Sequence, residues 1–537
     1  MASECEFTLG QRIECEGYNG TVCYIGEVPP TKGTWLGIEW DDSSRGKHNG
    51  FHEGRQYFTT KHPQNGSFLR PKKANKGIDF LTALADRYGK VDDVAAGIIE
   101  EEMFVRGKRN QQTRIEVVGA HTVNLKQSEF NRLFDVGLRG MLIGDVGSER
   151  LIAKECPNIK QLNVSLNLLS SWKQIAAIAA QLQRLQTLDV SSNVLQVPDD
   201  GHDAGENLDY YKKSFQVLRT LYLNKMSYNW SDVFRCGALL PNLNELHACV
   251  NDITTITNPL PNLQHLVMLN LDKNEINDWK NVLELGVLQK LETLILNDTG
   301  IKEMYFPDCS TNEKTQLFPS LQSLSINRNG ISEYTSINEL NKLQSLVDLK
   351  IQGNPLIKAE EEATTRTIII AKIAKLRSLN RTIVEESERI GAEIDYLKIF
   401  GLKWRKSGGD QDPSKNDPSF EFLEAHPRYM EIVKKFGAPE DSELKEITSA
   451  LKNNLLSITI DCPQIPDKKP VAKKLPRTMT VQKLRALLAR LYKVNADGIK
   501  ITYTSKENEN LDYELDNDQR EIGFFSIEDN DVIHVVI

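Results

Sequence analysis

A frame of apolar residues returns through the middle of this 537-residue chain, and no other feature limits its fold so tightly. Ile159-x-x-Leu162-x-Val164-x-x-Asn167 aligns with Leu185-x-x-Leu188-x-Val190-x-x-Asn193. The frame recurs at Leu243/Leu246/Ala248/Asn251, Leu266/Leu269/Leu271/Asn274, Leu321/Leu324/Ile326/Asn329 and Leu346/Leu349/Ile351/Asn354. Degenerate copies beginning at Leu218 and Leu291 put Met226 and Thr299 where Asn is expected, and Leu138/Met141/Ile143 reads as an earlier, weaker copy. Successive frames lie about 23 to 33 residues apart, the interval of a structural repeat. Each unit predicts one short strand laid beside the last, its apolar residues in a shared core. The Asn side chain is expected to bind backbone groups where the chain turns off the strand. No unit buries its apolar face alone, so the stack is the folding unit.

The spacing is that of leucine-rich repeats, and it predicts an α/β solenoid over residues 138–356. The third, fifth and seventh residues of each unit are expected on the open face of the sheet. Across the units they are polar and mildly acidic, with Tyr222, His247, Met268 and Ile295 as a central stripe. At about 4.7–4.9 Å per strand the face is on the order of 35 Å long, a size that suits a folded protein better than a small molecule. The repeats end at Gly353-Asn354-Pro355. The amphipathic stretch from Thr367 to Asn380 then reads as part of a C-terminal cap, residues 357–402, over the last exposed core edge. A Gly-rich break at Ser407-Gly408-Gly409 opens a linker with short helices, residues 403–453.

Residues 1–73 have another texture, rich in Gly and aromatics, with short β-like runs parted by Pro29-Pro30, Asn49-Gly50 and Asn65-Gly66. That predicts a small all-β barrel, followed by a linker and N-terminal cap of the solenoid, residues 74–137. Gly20-Thr21-Val22, Tyr24-Ile25-Gly26, Gly33-x-Trp35-Leu36-Gly37-Ile38-Glu39-Trp40-Asp41, Gly46-Lys47-His48-Asn49-Gly50, Tyr57-Phe58 and Gly66-Ser67-Phe68-Leu69 together resemble a CAP-Gly domain. In that family the segment matching Gly46–Gly50 reads Gly-Lys-Asn-Asp-Gly and lines a groove for acidic C-terminal tails ending in an aromatic residue. Here His48 and Asn49 depart from the usual pair. The resemblance implies that Lys47 meets a carboxylate, that Gly46 and Gly50 let backbone amides approach it, and that Trp35, Phe51, Phe58 and Phe68 grip the terminal ring. Phe58 is equally well read as barrel core.

Residues 454–537 turn to mixed α and β texture. Leu456–Ile460 alternates like a strand, Thr480–Leu491 has helical spacing with Thr478 or Thr480 as N-cap, and strands return at Ile499–Tyr503 and Asp531–Ile537. This order describes a ubiquitin-like β-grasp domain. Without a Gly-Gly ending it reads as a docking module for a proteasomal, chaperone or other ubiquitin-like-domain receptor.

No P-loop, G-x-S-x-G or H-E-x-x-H motif occurs, and the nine histidines show no metal-ligand spacing. Neither catalysis, cofactor nor metal is expected. A formal net charge of -8 argues against nucleic acid and anionic membrane as partners. No apolar run reaches the roughly 18 residues of a membrane helix. The N-terminus lacks a signal peptide's apolar run, and eight scattered cysteines without a C-x-x-C pair read as reduced thiols.

CAP-Gly, capped leucine-rich repeats and a ubiquitin-like module, in this order, resemble the tubulin-folding cofactor E (tubulin-specific chaperone E) family. The resemblance implies a non-catalytic chaperone of the cytoplasm and cytoskeleton. It would capture α-tubulin by its tail and body and, with cofactors B, C and D, assemble or dissociate the α/β-tubulin heterodimer. The other reading is a CAP-Gly microtubule-end adaptor or scaffold, although sustained coiled-coil heptads are missing.

Overall fold

The structure is a computed structural model. It describes residues 6–89, 104–106, 112–114, 129–148, 150–198, 204–358, 362–440 and 444, then 455–465, 469–477, 479–504, 512–515, 518, 520–525, 527, 529 and 531–536. Parts of the expected N-terminal cap, the end of the 403–453 linker and Thr478 lie outside the described residues. The chain divides into two compact units, Met1–Glu440 and Asp441–Ile537.

The first unit opens with an antiparallel sheet whose strands Arg12–Cys15, Tyr18–Val28, Thr31–Trp40 and Gly66–Leu69 lie side by side in that order. Alternation along the strands sends Ile13, Val22, Leu36, Ile38 and Trp40 into one small core. Arg12 is buried beside them; its terminal nitrogens donate to Asp41 and to the Thr21 hydroxyl, while its buried Nε has no partner among the described residues. Where a linker is expected to start, the backbone is pinned from both sides. Asn75 exchanges two hydrogen bonds with Glu14, at 2.8 and 2.9 Å. Ile78–Asp79 pairs with Ile143–Asp145 of the next module, and Asp79 caps the helix Phe80–Tyr88 by accepting from the amides of Leu81 and Thr82.

The solenoid follows as parallel three-residue strands in strict register. Leu162, Leu188, Leu221, Leu246, Leu269, Leu294, Leu324 and Leu349 form one buried column. The first parallel strand is Asp135–Gly137, which corrects the expected Leu138/Met141/Ile143 copy. The residues in frame are Leu133, Val136 and Leu138, all buried, with Met141 in the Asn position. The shift escaped the sequence because both alignments offer apolar residues at the required spacing. The asparagines do what their position predicts. Asn274 is buried, donates to the carbonyls of Ala248 and Leu271 at 2.9 and 2.8 Å, and accepts from the amides of Asn251 and Ile253. Asn167, Asn193, Asn251, Asn329 and Asn354 repeat this bridging between neighbouring turns. Just before these asparagines, Leu166, Ser192, Val250, Lys273 and Arg328 adopt φ of 52 to 58°. Side chains resist that left-handed turn, and the asparagine bonds hold it.

The sheet closes on Ser378–Leu379 and the antiparallel Thr382–Ile383. The cap does not stop at 402. Helix Glu386–Lys406 crosses that point, and helices Phe420–Ala425 and Tyr429–Phe436 pack back on it through Tyr396, Phe400, Trp404, Phe422 and Tyr429. Lys372 Nζ donates to the Ala425 carbonyl at 2.9 Å, and Tyr429 donates to the Leu397 carbonyl at 2.9 Å. Gly408 and Gly409 break the helix without ending the packed layer. The residues expected as a linker to about 436 are therefore cap.

The second unit is a five-stranded sheet with spatial order Val471–Pro476, Leu455–Asp461, Val532–Val536, Lys500–Thr504 and Asp512–Glu514. Helix Val481–Tyr492, capped by Thr480, places Leu484 and Leu488 in a core with Ile458, Ile460, Ile501 and Ile533. Among the described residues no helix is long and apolar enough to cross a membrane.

Candidate functional site

A groove of about 520 Å³ opens on the first module, with Trp35, Lys47, His48, His52, Phe68 and Lys73 in its lining. Phe68 is the hub of its aromatic floor. The rings of His48, Tyr57, His52 and Trp35 surround it at centroid distances of 5.1, 5.4, 5.9 and 6.5 Å, mostly edge to face, the arrangement that ring quadrupoles favour. Trp35 is held by its Nε1 donating to the Thr31 hydroxyl at 2.8 Å and by the Arg70 guanidinium 3.8 Å from its ring centroid. At the rim, Arg45 is engaged by Glu16 at 2.5 Å. Lys47 and Lys73 are exposed and have no ion-pair partner among the described residues.

The backbone of Gly46–Gly50 turns inward. The amides of Lys47 and His48 both donate to the Gly66 carbonyl, at 2.7 and 3.1 Å, and the Gly50 amide donates to His48 Nδ1 at 2.9 Å. An accepting Nδ1 leaves the neutral ring protonated at Nε2. Burial, then His52 and Lys47, hold the His48 pKa below its ordinary 6.5. Three of the amides expected to approach a ligand, those of Lys47, His48 and Gly50, are thus occupied. The glycines serve packing instead: a Cβ on Gly46 would stand 1.9 Å from the Gln64 carbonyl oxygen. One on Gly50, at φ +89°, would stand 1.9 Å from that of Phe58. Phe58 is buried behind the groove, against Phe68 at 5.6 Å, and is core. Phe51 is exposed on a two-residue hairpin strand facing Gln56 and does not line the groove. Asn49 is also exposed and accepts from the Phe51 amide. Of the expected groove residues, Trp35, Lys47, His48 and Phe68 come together.

On the solenoid face, Tyr222 and His247 are half-buried neighbours whose rings stack at 4.2 Å and 9°. Pairing places Asp189, Tyr222, His247, Asn270 and Ile295 in one row, whereas Met268 stands in the adjoining row beside Glu245 and Thr293. The expected single stripe is therefore two rows. Ser165, Ser191 and Asn297, at the seventh position, are buried rather than outward. Burial lowers the His247 pKa, opposed by Glu245, Asp189 and Asp272, and the Tyr222 pKa is raised by burial, then by Glu245 and Asp189.

Comparison with known proteins assigns residues 9–74 to the CAP-Gly domain and residues 455–536 to the ubiquitin-like domain. Tubulin-specific chaperone E of Xenopus laevis is 44% identical over 527 residues, covering 98% of each chain, and that of Homo sapiens is 41% identical over 98% of each. The chain belongs to the tubulin-specific chaperone E family. A solution structure of the C-terminal ubiquitin-like domain of mouse tubulin-specific chaperone e aligns with 16% of this chain and 91% of its own, at 35% identity and a TM-score of 0.15. As a member of the chaperone E family, the chain carries its groove within the matched CAP-Gly segment. Sequence reasoning did not name His52 and Lys73 as lining residues, nor Tyr57 and Arg70 as the supports of the Phe68 and Trp35 rings. Lys73 had a visible signal in the basic run Lys72-Lys73 and Tyr57 in the Tyr57-Phe58 motif; His52 arrives on the Phe51–His52 hairpin strand, and Arg70, one residue past Gly66–Leu69, arrives over Trp35.

Proposed function

We propose that this chain is a non-catalytic tubulin chaperone that captures α-tubulin at two points, its acidic C-terminal tail in the groove and its body on the solenoid. With cofactors B, C and D it would assemble or dissociate the α/β-tubulin heterodimer in the cytoplasm, at the cytoskeleton. The observation that carries the reading is an aromatic floor beneath two unpaired lysines, within a chain whose tubulin-specific chaperone E relatives match it end to end. Because the Lys47, His48 and Gly50 amides are occupied, affinity rests chiefly on Lys47, Lys73 and the ring cluster. A charge-assisted hydrogen bond contributes about 1.5–3 kcal/mol, and a buried ring about as much. After the cost of association that sum tethers a tail and does not reshape a subunit. The solenoid supplies the larger contact and raises the effective concentration of the first. The ubiquitin-like unit is a docking module for a proteasomal or other ubiquitin-like-domain receptor.

The test is to mix the full chain with native tubulin dimer and separate the products by size. A complex holding only the α chain is the expected result. Recovery of intact dimer alone, with no affinity for an acidic peptide ending in Tyr, would overturn the reading.

A further inference from the structure

Strand pairing and charge give the middle of the solenoid face a definite character. From Gln161–Asn163 to Ser323–Ser325 no lysine or arginine occupies the third, fifth or seventh positions. Three carboxylates do, on Asp189, Glu245 and Asp272, and none forms an ion pair with a described residue. All three act on His247, so the charge is gathered around the Tyr222–His247 stack. Asp189 accepts from the Ser191 amide and Asn163, Asp272 from Asn297, and Glu245 from the Thr220 hydroxyl. These bonds orient the carboxylates, and each retains free lone pairs. At these positions, among the described residues, cations stand only at the two ends, where Arg139 donates to Ser165 and Lys350 pairs with Asp348 at 3.5 Å. Lys273 and Arg328 border the Asp272 side of the face from the next position, Arg328 held by Asp298. Beside the stack, Met268 and Ile295 add half-buried apolar surface.

We propose that this sheet face, from Thr187–Asp189 to Thr293–Ile295, docks a protein surface that presents arginine or lysine side chains. A guanidinium suits it because carboxylates and an aromatic face are both within reach of one planar cation. The inference rests on the two-point reading and assigns its second contact, with a sign opposite to the first. The same client would bring an acidic tail to the lysine-rimmed groove and a basic patch to the solenoid. Both contacts belong to one compact unit, joined through the Asn75–Glu14 and Ile78–Ile143 pairings rather than by a free tether.

The probe is tubulin whose C-terminal tails have been removed by limited proteolysis, with the separate tail peptide as a second ligand for the full chain. The neutral variant Asp189→Asn/Glu245→Gln/Asp272→Asn keeps one acceptor oxygen on each side chain, enough for the Ser191 and Asn297 amides, and gives up the second, which takes the Asn163 and Asn297 side-chain bonds. It is expected to hold tail-less tubulin about tenfold more weakly and with a flatter salt dependence. Its melting temperature should fall only by what those two partly buried side-chain bonds supply, and its tail-peptide affinity should stay unchanged. Glu155→Gln/Asp209→Asn/Glu284→Gln, an equal loss of charge on exposed helical positions, should leave capture intact. Unaltered capture by the first variant, an equal loss in the second, or no retention of tail-less tubulin by the wild type would each overturn the proposal. Failure of the tail peptide to bind while tail-less tubulin is held would instead sink the groove reading alone.

Discussion

His48 in the groove and His247 on the solenoid face are both drawn toward the neutral form by burial, yet their surroundings oppose one another. Around His48 stand His52 and Lys47, which push its pKa further down; around His247 stand Glu245, Asp189 and Asp272, which pull it back up. The groove is a small concavity in which the Lys47, His48 and Gly50 amides are spent on its own walls, and its lining offers rings and two exposed lysines. The solenoid face is a parallel sheet whose backbone is consumed by its ladder, with carboxylates and a half-buried ring stack upon it. In both regions main-chain polarity builds the site, and side chains alone give it a sign.

The comparison breaks most sharply at the backbone. Gly50→Ala places a side chain at φ +89° and against the Phe58 carbonyl. We expect a loss of about 3 kcal/mol or more in the first module. Thermal unfolding and tail-peptide titration should show the groove lost, while tail-less tubulin is still held. On the solenoid, Asn274→Ala leaves the Asn251 and Ile253 amides without their acceptor. A destabilisation of about 2–3 kcal/mol follows from two buried, unpaired donors, read as a lower denaturant midpoint.

Milder changes sharpen the contrast in sign. Lys47→Ala should weaken acidic-peptide binding by about 10- to 100-fold, measured by titration, without altering capture of tail-less tubulin. The smallest effects concern pH. Because both histidines are held below 6.5, each contributes stability that is complete above that value and fades as pH falls below it. Lys47→Ala should raise the His48 pKa and Glu245→Gln should lower that of His247, followed by NMR titration of the imidazoles. Shifts in the same direction would mean that local charge does not set the difference.

The repeat frame, the turn-side role of its asparagines, the three kinds of module and the candidacy of Lys47, Trp35 and Phe68 were all legible in the chain, since each follows from spacing and residue type over a few positions. Tertiary packing decided the rest. The amides of the Gly46–Gly50 segment and the burial of Phe58 depend on where Gly66 and Phe68 arrive from a distant strand. The row that separates Met268 from Tyr222 depends on register, and the extension of the cap past Lys406 depends on helices folding back over Trp404. A local pattern can name which groups are available, but which of them are used up in holding the fold is set by partners that sequence spacing does not specify.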